Sequence, residues 1–463
     1  MFCSFAPVSL HKLDKTRQVF SGFFTCMARN SIPFYLCKAR IFSKSRLSCA
    51  AMSSLAQVPS FAHAKFSFPA CIPYNTIDME NSRAIHRVTV AGVGVLSHAE
   101  RLRYTTDDIQ ITGAIGPAII HALATSGFTV QALTRKINKD TILPATVIEA
   151  DYTSSYALCQ VLRGQDAVIS CLGDISGAVA AQKSLIEASV AAGVKRFLPS
   201  EFGSDTTNAH VRSLPFFEAK LAHQALLQEA AVINPTFSYS LLITGPFLDW
   251  GLSVVPFIVN LGTKTAEGKL KYQIPRATGN ANNSHLVIDG GNVPFSITRT
   301  GAVAHAVAQI LKHPEQTKNR ALFVHEAIVT QNQLVAHGER VLASMPNESP
   351  SSAQITPKLI NSDLAEPLAL SAHANSSPDP LDWILPCINL SIWAKDKPCR
   401  FWRTDNELLG IKELDEGELS AMLDAEMKAA AEKLGTKGTA GENKIEAEKA
   451  FEEGKRKLVE AEV

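Results

Sequence analysis

Three glycines and a threonine carry the first chemically readable pattern in this chain. A β-branched run, RVTVA over Arg87–Ala91, ends at Gly92, and a second segment, ITGAIGPAIIHALATSGFTV, starts at Ile111. Joined directly, they read as a strand, a glycine turn and a helix, with Gly92, Thr112, Gly113 and Gly116 in the spacing G-x-T-G-x-x-G. This is a variant of the dinucleotide fingerprint. Its glycines permit a tight turn, a close approach of backbone to pyrophosphate, and close packing of helix on sheet. The phosphates would rest on backbone N–H groups at the positive end of the helix dipole.

The elements that must hold such a cradle are interrupted. Val93–Gln110 is polar, charged and aperiodic, whereas βα loops normally run to about 2–6 residues. Codons for Val93-Gly94-Val95, Thr106-Asp107 and Gln110 permit splice-donor, branch and acceptor sequences. The favoured reading is a retained intron; the alternative is a genuine long insertion in the phosphate loop. Gly268–Val287 permits the same reading, and its Gly/Asn-rich, aperiodic sequence predicts a loop.

Around these segments β and α patterns alternate. Strands are predicted at Thr129–Leu133, Thr146–Ala150, Asp166–Ser170, Arg196–Leu198, Phe237–Ile243 and Arg320–Val324. Helices are predicted at Ala178–Ala192, Phe216–Ala231 and Val303–Lys312. Strands separated by helix-length segments imply an α/β fold with a doubly wound parallel sheet of Rossmann type and a smaller C-terminal substrate-binding region. Ligands of such sheets lie beyond the carboxyl ends of the strands. The domain reading is a dinucleotide-binding domain over 84–335, carrying inserts at 93–110 and 268–287, and a substrate-side region over 336–414. Asn347–Pro380 reads as loop with short helices. The charged tail over 415–463 reads as a solvated helix or a disordered end, or less readily as a coil that binds a partner.

Composition bounds the function. The chain has 463 residues, is 46% hydrophobic and carries a formal net charge of +1, which is a globular balance without the basic surface of a general nucleic-acid binder. The apolar run Ser238–Leu261 is broken by Gly245-Pro246, Asp249, Gly251 and Pro256, so a membrane span is disfavoured. Five of nine cysteines lie in the first 78 residues, and the other four form no metal spacing; they read as reduced thiols, with no metal bound. Residues 1–77 hold nine Lys/Arg and one acid, Asp14. This segment is either a transit peptide or upstream sequence translated ahead of a start at Met79; the second is favoured, with disorder expected. The compartment reads as cytoplasmic, or mitochondrial if the extension is genuine.

Four segments together are more specific than the glycines alone. The restored GITGAIG, the run QKSLIEASVAAGVKRFLPSEFGSD, the segment ITGPFLDWGL and the late TDNELLGIKEL resemble the isoflavone-reductase-like branch of the NmrA-like family, above all its fungal members. These are atypical short-chain dehydrogenases that bind NADP(H). The resemblance spans roughly Arg87 to Leu414 apart from the two inserts.

The resemblance implies a role for each matching residue. Gly92, Thr112, Gly113, Ile115 and Gly116 would form the pyrophosphate loop. Arg135, placed after the second strand, would meet a 2′-phosphate with help from Lys136, which argues for NADP over NAD. Asp151 would lie near the adenine, or serve as a turn or cap. Cys171, Leu172 and Gly173 would pass along the ribose, or form a plain strand-end turn. Lys220, in LPFFEAKLAHQ, matches the lysine set beside the nicotinamide, where it would relay a proton during hydride transfer; in isolation it reads as a solvated helix lysine. No tyrosine is followed by lysine four residues later, which fits the atypical branch. Phe202, Phe247 and Trp250 would line an apolar substrate pocket or belong to the core. His210 and His223 are polar contacts or incidental. The leading function is an NADPH-dependent reductase of a small aromatic or conjugated metabolite. The alternative is a non-catalytic NADP(H)-binding sensor that regulates a protein partner.

Overall fold

The computed structural model describes residues 84–93, 115–137, 143–173, 177–253, 263–264, 270–271, 285–345, 357–376, 381–395 and 399–432. The chain divides into two units, Met1–Ser67 and Phe68–Val463, and every described residue belongs to the second. The N-terminal extension, Thr112, Gly113 and nearly all of the first insert lie outside the described residues.

In chain order the elements are β1 (Arg87–Ala91), α1 (Gly116–Thr125), β2 (Thr129–Thr134), β3 (Thr146–Glu149), α2 (Ser155–Leu162), β4 (Ala167–Ser170), α3 (Ala178–Ala192), β5 (Arg196–Leu198), α4 (Ala209–Arg212), α5 (Glu218–Ile233), β6 (Ser238–Ile243) and α6 (Leu248–Ser253). There follow β7 (Thr263–Lys264), β8 (Leu270–Lys271), β9 (His285–Ile288), β10 (Phe295–Ile297), α7 (Thr300–Lys312), α8 (Pro314–Thr317), β11 (Arg320–Phe323) and β12 (Ala327–Val329). Last come α9 (Gln331–Ala343), β13 (Pro357–Ile360), α10 (Ser362–Ala374), α11 (Leu381–Trp393), α12 (Asn406–Leu409) and α13 over 416–432.

Seven strands pair in the order β11-β6-β5-β4-β1-β2-β3, all parallel. The chain runs outward from β1 to β3, then crosses back to β4 on the other side of β1. The crevice between β1 and β4 is therefore the switch point at which α/β sheets hold ligands.

Period-two alternation explains why both faces are covered. Val88 and Val90 of β1, Val130 and Ala132 of β2, and Ile169 of β4 pack into one core with Ile119, Ile120 and Leu123 of α1 and Val303, Val307 and Ile310 of α7. Ala91, Leu133 and Val168 point the other way, into a core with Leu158 of α2, Leu185 of α3 and Leu227 of α5. Local signals set the helix ends. Ser154 accepts the Ala157 N–H to open α2, Thr330 and Gln333 form a capping box at α9, and Gly193 in the left-handed region closes α3.

The C-terminal part differs from expectation in three places. His285–Ile288 pairs in parallel with β13, and β7 pairs with β8, so both described ends of the expected loop over Gly268–Val287 are strand. Within Asn347–Pro380 there is a thirteen-residue helix, α10. The tail helix α13 is not solvated on all sides: Met422, Leu423, Met427, Ala430 and Ala431 are buried in a core with Trp393, Phe401, Phe295 and Ile243. Its apolar positions recur at helical spacing, and that pattern outweighs its overall charge. The remainder of the tail, 433–463, lies outside the described residues.

Candidate active site

The carboxyl ends of β1, β4 and β5 bring together most of the residues singled out from the sequence. Gly92 follows β1 with φ +82°. A Cβ there would stand 2.8 Å from the Leu172 nitrogen and 2.9 Å from the Cys171 carbonyl carbon. Backbone on the neighbouring strand leaves no space for any side chain, so this position requires glycine. The Gly92 N–H donates to Leu133 O at 3.2 Å and to the Tyr152 hydroxyl at 2.9 Å. The Tyr152 hydroxyl in turn donates to Leu133 O at 3.1 Å. Burial pushes this phenol up to about 12, against the opposing charge of Arg135. Tyr152 is thus a neutral pin between the ends of β1 and β2.

Helix α1 starts at Ile115 without a side-chain cap and without an acidic residue in its first turn. Ile115 itself is a core residue, so only its backbone is available to a ligand. Among the described residues no side chain caps this ten-residue helix, and its start beside the Gly92 turn fits a phosphate-bearing ligand.

Arg135 and Lys136 stand exposed just beyond β2. Their turn is pinned by Thr134, whose hydroxyl donates to Lys136 O at 3.0 Å and accepts the Lys136 N–H at 3.3 Å. Asp151 is exposed and is a turn residue: it accepts from the Thr153 hydroxyl at 2.6 Å and the Thr153 N–H at 2.9 Å. Those bonds, the hydroxyl's first, hold its carboxyl below the usual range. Cys171 and Leu172 are buried and Gly173 is half-buried. Burial raises the Cys171 thiol to about 12, so it is no ready nucleophile.

Lys220 lies in the first turn of α5 and is 6% exposed. Its Nζ donates to Ser200 O at 2.7 Å and Glu201 O at 3.0 Å. The solvated alternative is therefore set aside. The loop that holds it is itself anchored: Glu201 accepts from the Gln224 amide at 2.9 Å and from the Thr206 hydroxyl at 2.9 Å. Phe202, at φ +29°, and Phe247 both pack at the margin of the α1–α7 core, and Trp250 is half-buried on α6. The structure thus gathers Phe202 and Phe247 on one cluster. His210 is exposed on α4, whereas His223 is buried.

Sequence reasoning missed Tyr152, Ser170, Gln182, Glu201 and Gln224. A signal existed. The buried face of α5 reads Lys220, His223, Gln224, Leu227, and that of α3 reads Gln182, Leu185, Ile186, Ser189. Polar residues at core positions within the first two turns of both helices mark where they abut a polar site. Among the described residues no cluster of His, Cys, Asp and Glu suits a metal, and no helix is long and apolar enough to cross a membrane.

Comparison with known proteins places the chain in a family. The model of the NmrA-like family matches residues 109–391. The oxidoreductase poxI of Penicillium oxalicum is 31% identical over 238 residues, covering 50% of this chain and 68% of that protein. The oxidoreductase aprR of Aspergillus flavus is 30% identical over 234 residues, covering 48% of this chain and 69% of its own. Among solved structures, one from the set of pinoresinol-lariciresinol and phenylcoumaran benzylic ether reductases superposes with a TM-score of 0.50 at 20% identity, over 74% of this chain and 99% of that one. That likeness concerns the fold. The family match covers more than half of the chain and includes both α1 and Lys220; the chain belongs to the NmrA-like family.

Proposed function

We propose that this chain is an NADPH-dependent reductase of a small aromatic or conjugated metabolite. The observation that carries the reading is the burial of Lys220 on two backbone carbonyls at the carboxyl edge of the sheet, next along the sheet from the Cys171–Gly173 strip. The names of the fungal relatives, both oxidoreductases, support the reaction class.

The residues divide the work. The uncapped start of α1 holds the pyrophosphate on backbone N–H groups. Arg135, assisted by Lys136, meets a 2′-phosphate; a planar guanidinium suits a phosphate better than a bare ammonium does. The dinucleotide, when bound, supplies the hydride. Lys220 holds and moves the proton: Ser200 O and Glu201 O fix its Nζ, so the proton passes from a set position to the atom that gains charge. Phe202, Phe247 and Trp250 offer apolar surface to a flat substrate.

Titration of the full chain with NADPH, followed by the fluorescence of the bound nicotinamide, tests the reading. Saturable binding is expected, with Arg135→Ala weakening NADPH by about tenfold or more and leaving NADH unchanged. An Arg135→Ala protein with wild-type preference would remove the NADP assignment. Saturable binding without turnover across a panel of conjugated ketones, enones and quinones would replace the enzyme by the sensor.

A further inference from the structure

Lys220 is reached from the Cys171–Gly173 strip by a largely buried chain of hydrogen bonds, and Gln182 is its centre. The Gln182 Oε1 accepts from the Ser170 hydroxyl at 2.6 Å and from the Ser200 N–H at 3.2 Å. The Gln182 Nε2 lies 3.2 Å from His223 Nδ1, and His223 Nε2 lies 3.0 Å from Val179 O. Ser170, Gln182 and His223 are 0%, 4% and 6% exposed.

One backbone group fixes every donor and acceptor in this chain. The Ser200 N–H can only donate, so the Gln182 atom facing it is the oxygen. The amide nitrogen then faces His223 and can only donate, so Nδ1 must accept. A neutral imidazole with a bare Nδ1 carries its hydrogen on Nε2, where the Val179 carbonyl accepts it. The sense runs without conflict from the loop after β5, through α3, to α5.

The two ends of the chain are the two halves of the site. Ser170 closes β4, and its Oγ also accepts the Leu172 N–H at 3.5 Å, so it touches the Cys171–Gly173 strip. Ser200 gives its N–H to Gln182 and its carbonyl to Lys220. His223 sits one turn after Lys220 on the same face of α5. Gln182 therefore holds the residue from whose carbonyl Lys220 hangs, one peptide unit away, and His223 locks Gln182 in the required orientation. We propose that Gln182 and His223 are positioning residues that hold Lys220 in register with the cofactor strip. This rests on the reading of Lys220 as the group at the nicotinamide end.

The test uses the full chain, NADPH, and three readouts: the dissociation constant, the emission of the bound nicotinamide, and the thermal midpoint. Lys220→Met, Gln182→Leu, His223→Leu and His223→Asn are compared. The Oδ1 of asparagine stands about where Nδ1 of histidine does and also accepts, so His223→Asn keeps the chain and His223→Leu breaks it. Affinity is dominated by the phosphate contacts and is expected to stay within about threefold of wild type in all four. The emission of bound NADPH is expected to shift alike in Lys220→Met, Gln182→Leu and His223→Leu, and to return in His223→Asn.

Outcomes separate the two levels. A Lys220→Met protein with unaltered emission, or a wild type that does not bind NADPH, overturns the reading beneath. Altered emission in Lys220→Met with wild-type emission in Gln182→Leu and His223→Leu overturns the positioning role alone. Equal loss in His223→Leu and His223→Asn also overturns it, because a merely structural histidine would tolerate neither. Should Gln182→Leu fail to fold, the two His223 variants decide.

Discussion

The two edges of the central sheet each bury a cation on neutral oxygens, and they do so differently. At the amino edge Arg196, 2% exposed, donates through Nε to Ser238 Oγ at 2.9 Å. Through Nη1 it donates to Ser240 Oγ at 3.0 Å and Thr317 Oγ1 at 2.9 Å, and through Nη2 to Pro314 O. Each hydroxyl passes its own hydrogen on to a carbonyl: Ser238 to Lys195, Ser240 to Thr317, Thr317 to His313. The network closes on itself and ties β5, β6 and α8 together. At the carboxyl edge Lys220 hangs from the carbonyls of one loop, and that loop is held by Gln182 of α3, by Gln224 of α5 and by its own Thr206. The amino-edge guanidinium fastens elements to each other. The carboxyl-edge ammonium is mounted so that its place can be fixed from several sides. Burial lowers Arg196 to about 10, still well above neutrality, so it remains a permanent cation.

If this contrast is right, substitution at the two edges should separate activity from stability. The largest effect is expected at Lys220. Lys220→Met should lower turnover by about 10²–10⁴-fold once a substrate is identified, with KM for NADPH little changed. Its unfolding free energy should fall by only about 1–2 kcal/mol, because two loop carbonyls lose their donor while a methionine stem fills the same volume without a charge to desolvate. Steady-state kinetics and urea unfolding on one preparation check both halves. A large loss of stability with retained turnover would make Lys220 a fastener like Arg196 and erase the contrast.

Arg196→Met is the converse and comes second. It leaves three hydroxyls and a carbonyl without their buried donor. Bonds to a charged group contribute about 1.5–3 kcal/mol each, but they share one cost of desolvation. A net loss on the order of 3 kcal/mol is expected by urea unfolding, with the NADPH dissociation constant of the folded fraction unchanged. Weakened cofactor binding without a change in stability would show that the amino edge acts on the site after all.

How far each edge was legible in the sequence follows from the same physics. All seven strands of the parallel sheet were readable, because burial on both faces leaves short β-branched runs between helix-length segments. Gly92 was readable because a backbone approach of 2.8 Å admits one residue type, whereas a Cβ at Gly116 would meet Val93 only at an ordinary 3.5 Å. Arg196 was not, since nothing in VKRFL distinguishes a buried guanidinium from a surface one; its partners Thr317 and Pro314 are over a hundred positions away. Gln182 and His223 are intermediate: their helical register marks them as buried, but only three-dimensional pairing shows that they face each other. Helix α13 departs from the expected solvated tail because Leu423, Met427 and Ala430 recur at helical spacing and are buried, whatever the segment's overall charge.

The smallest expected effect is a pH dependence that belongs to the amino edge alone. Asp166 precedes β4 and accepts the N–H groups of His86 and Arg87 at 2.9 Å each, while Lys195 Nζ stands 2.8 Å from its other oxygen. Burial raises this carboxyl, but the Lys195 hydrogen bond and the two backbone donors together outweigh that, and it is held below its ordinary value of 3.8. A carboxyl depressed in the folded state stabilises that state when ionised. Its contribution is complete above about pH 4, the unfolded value, and is lost as pH falls through the lower folded value. The Lys195 side chain is one-third exposed, so the ion pair itself is screened and the backbone donors supply most of the effect, about 1 kcal/mol in total. Asp166→Asn should therefore be less stable than wild type by about that much in urea at pH 7, and the gap should narrow toward pH 3. NADPH affinity at pH 7 should be the same in both. A gap that stays constant with pH would assign the stabilisation to shape rather than charge, and a shift in NADPH affinity would mean that the ends of β1 and β4 transmit a change at their amino edge to the switch point at the other.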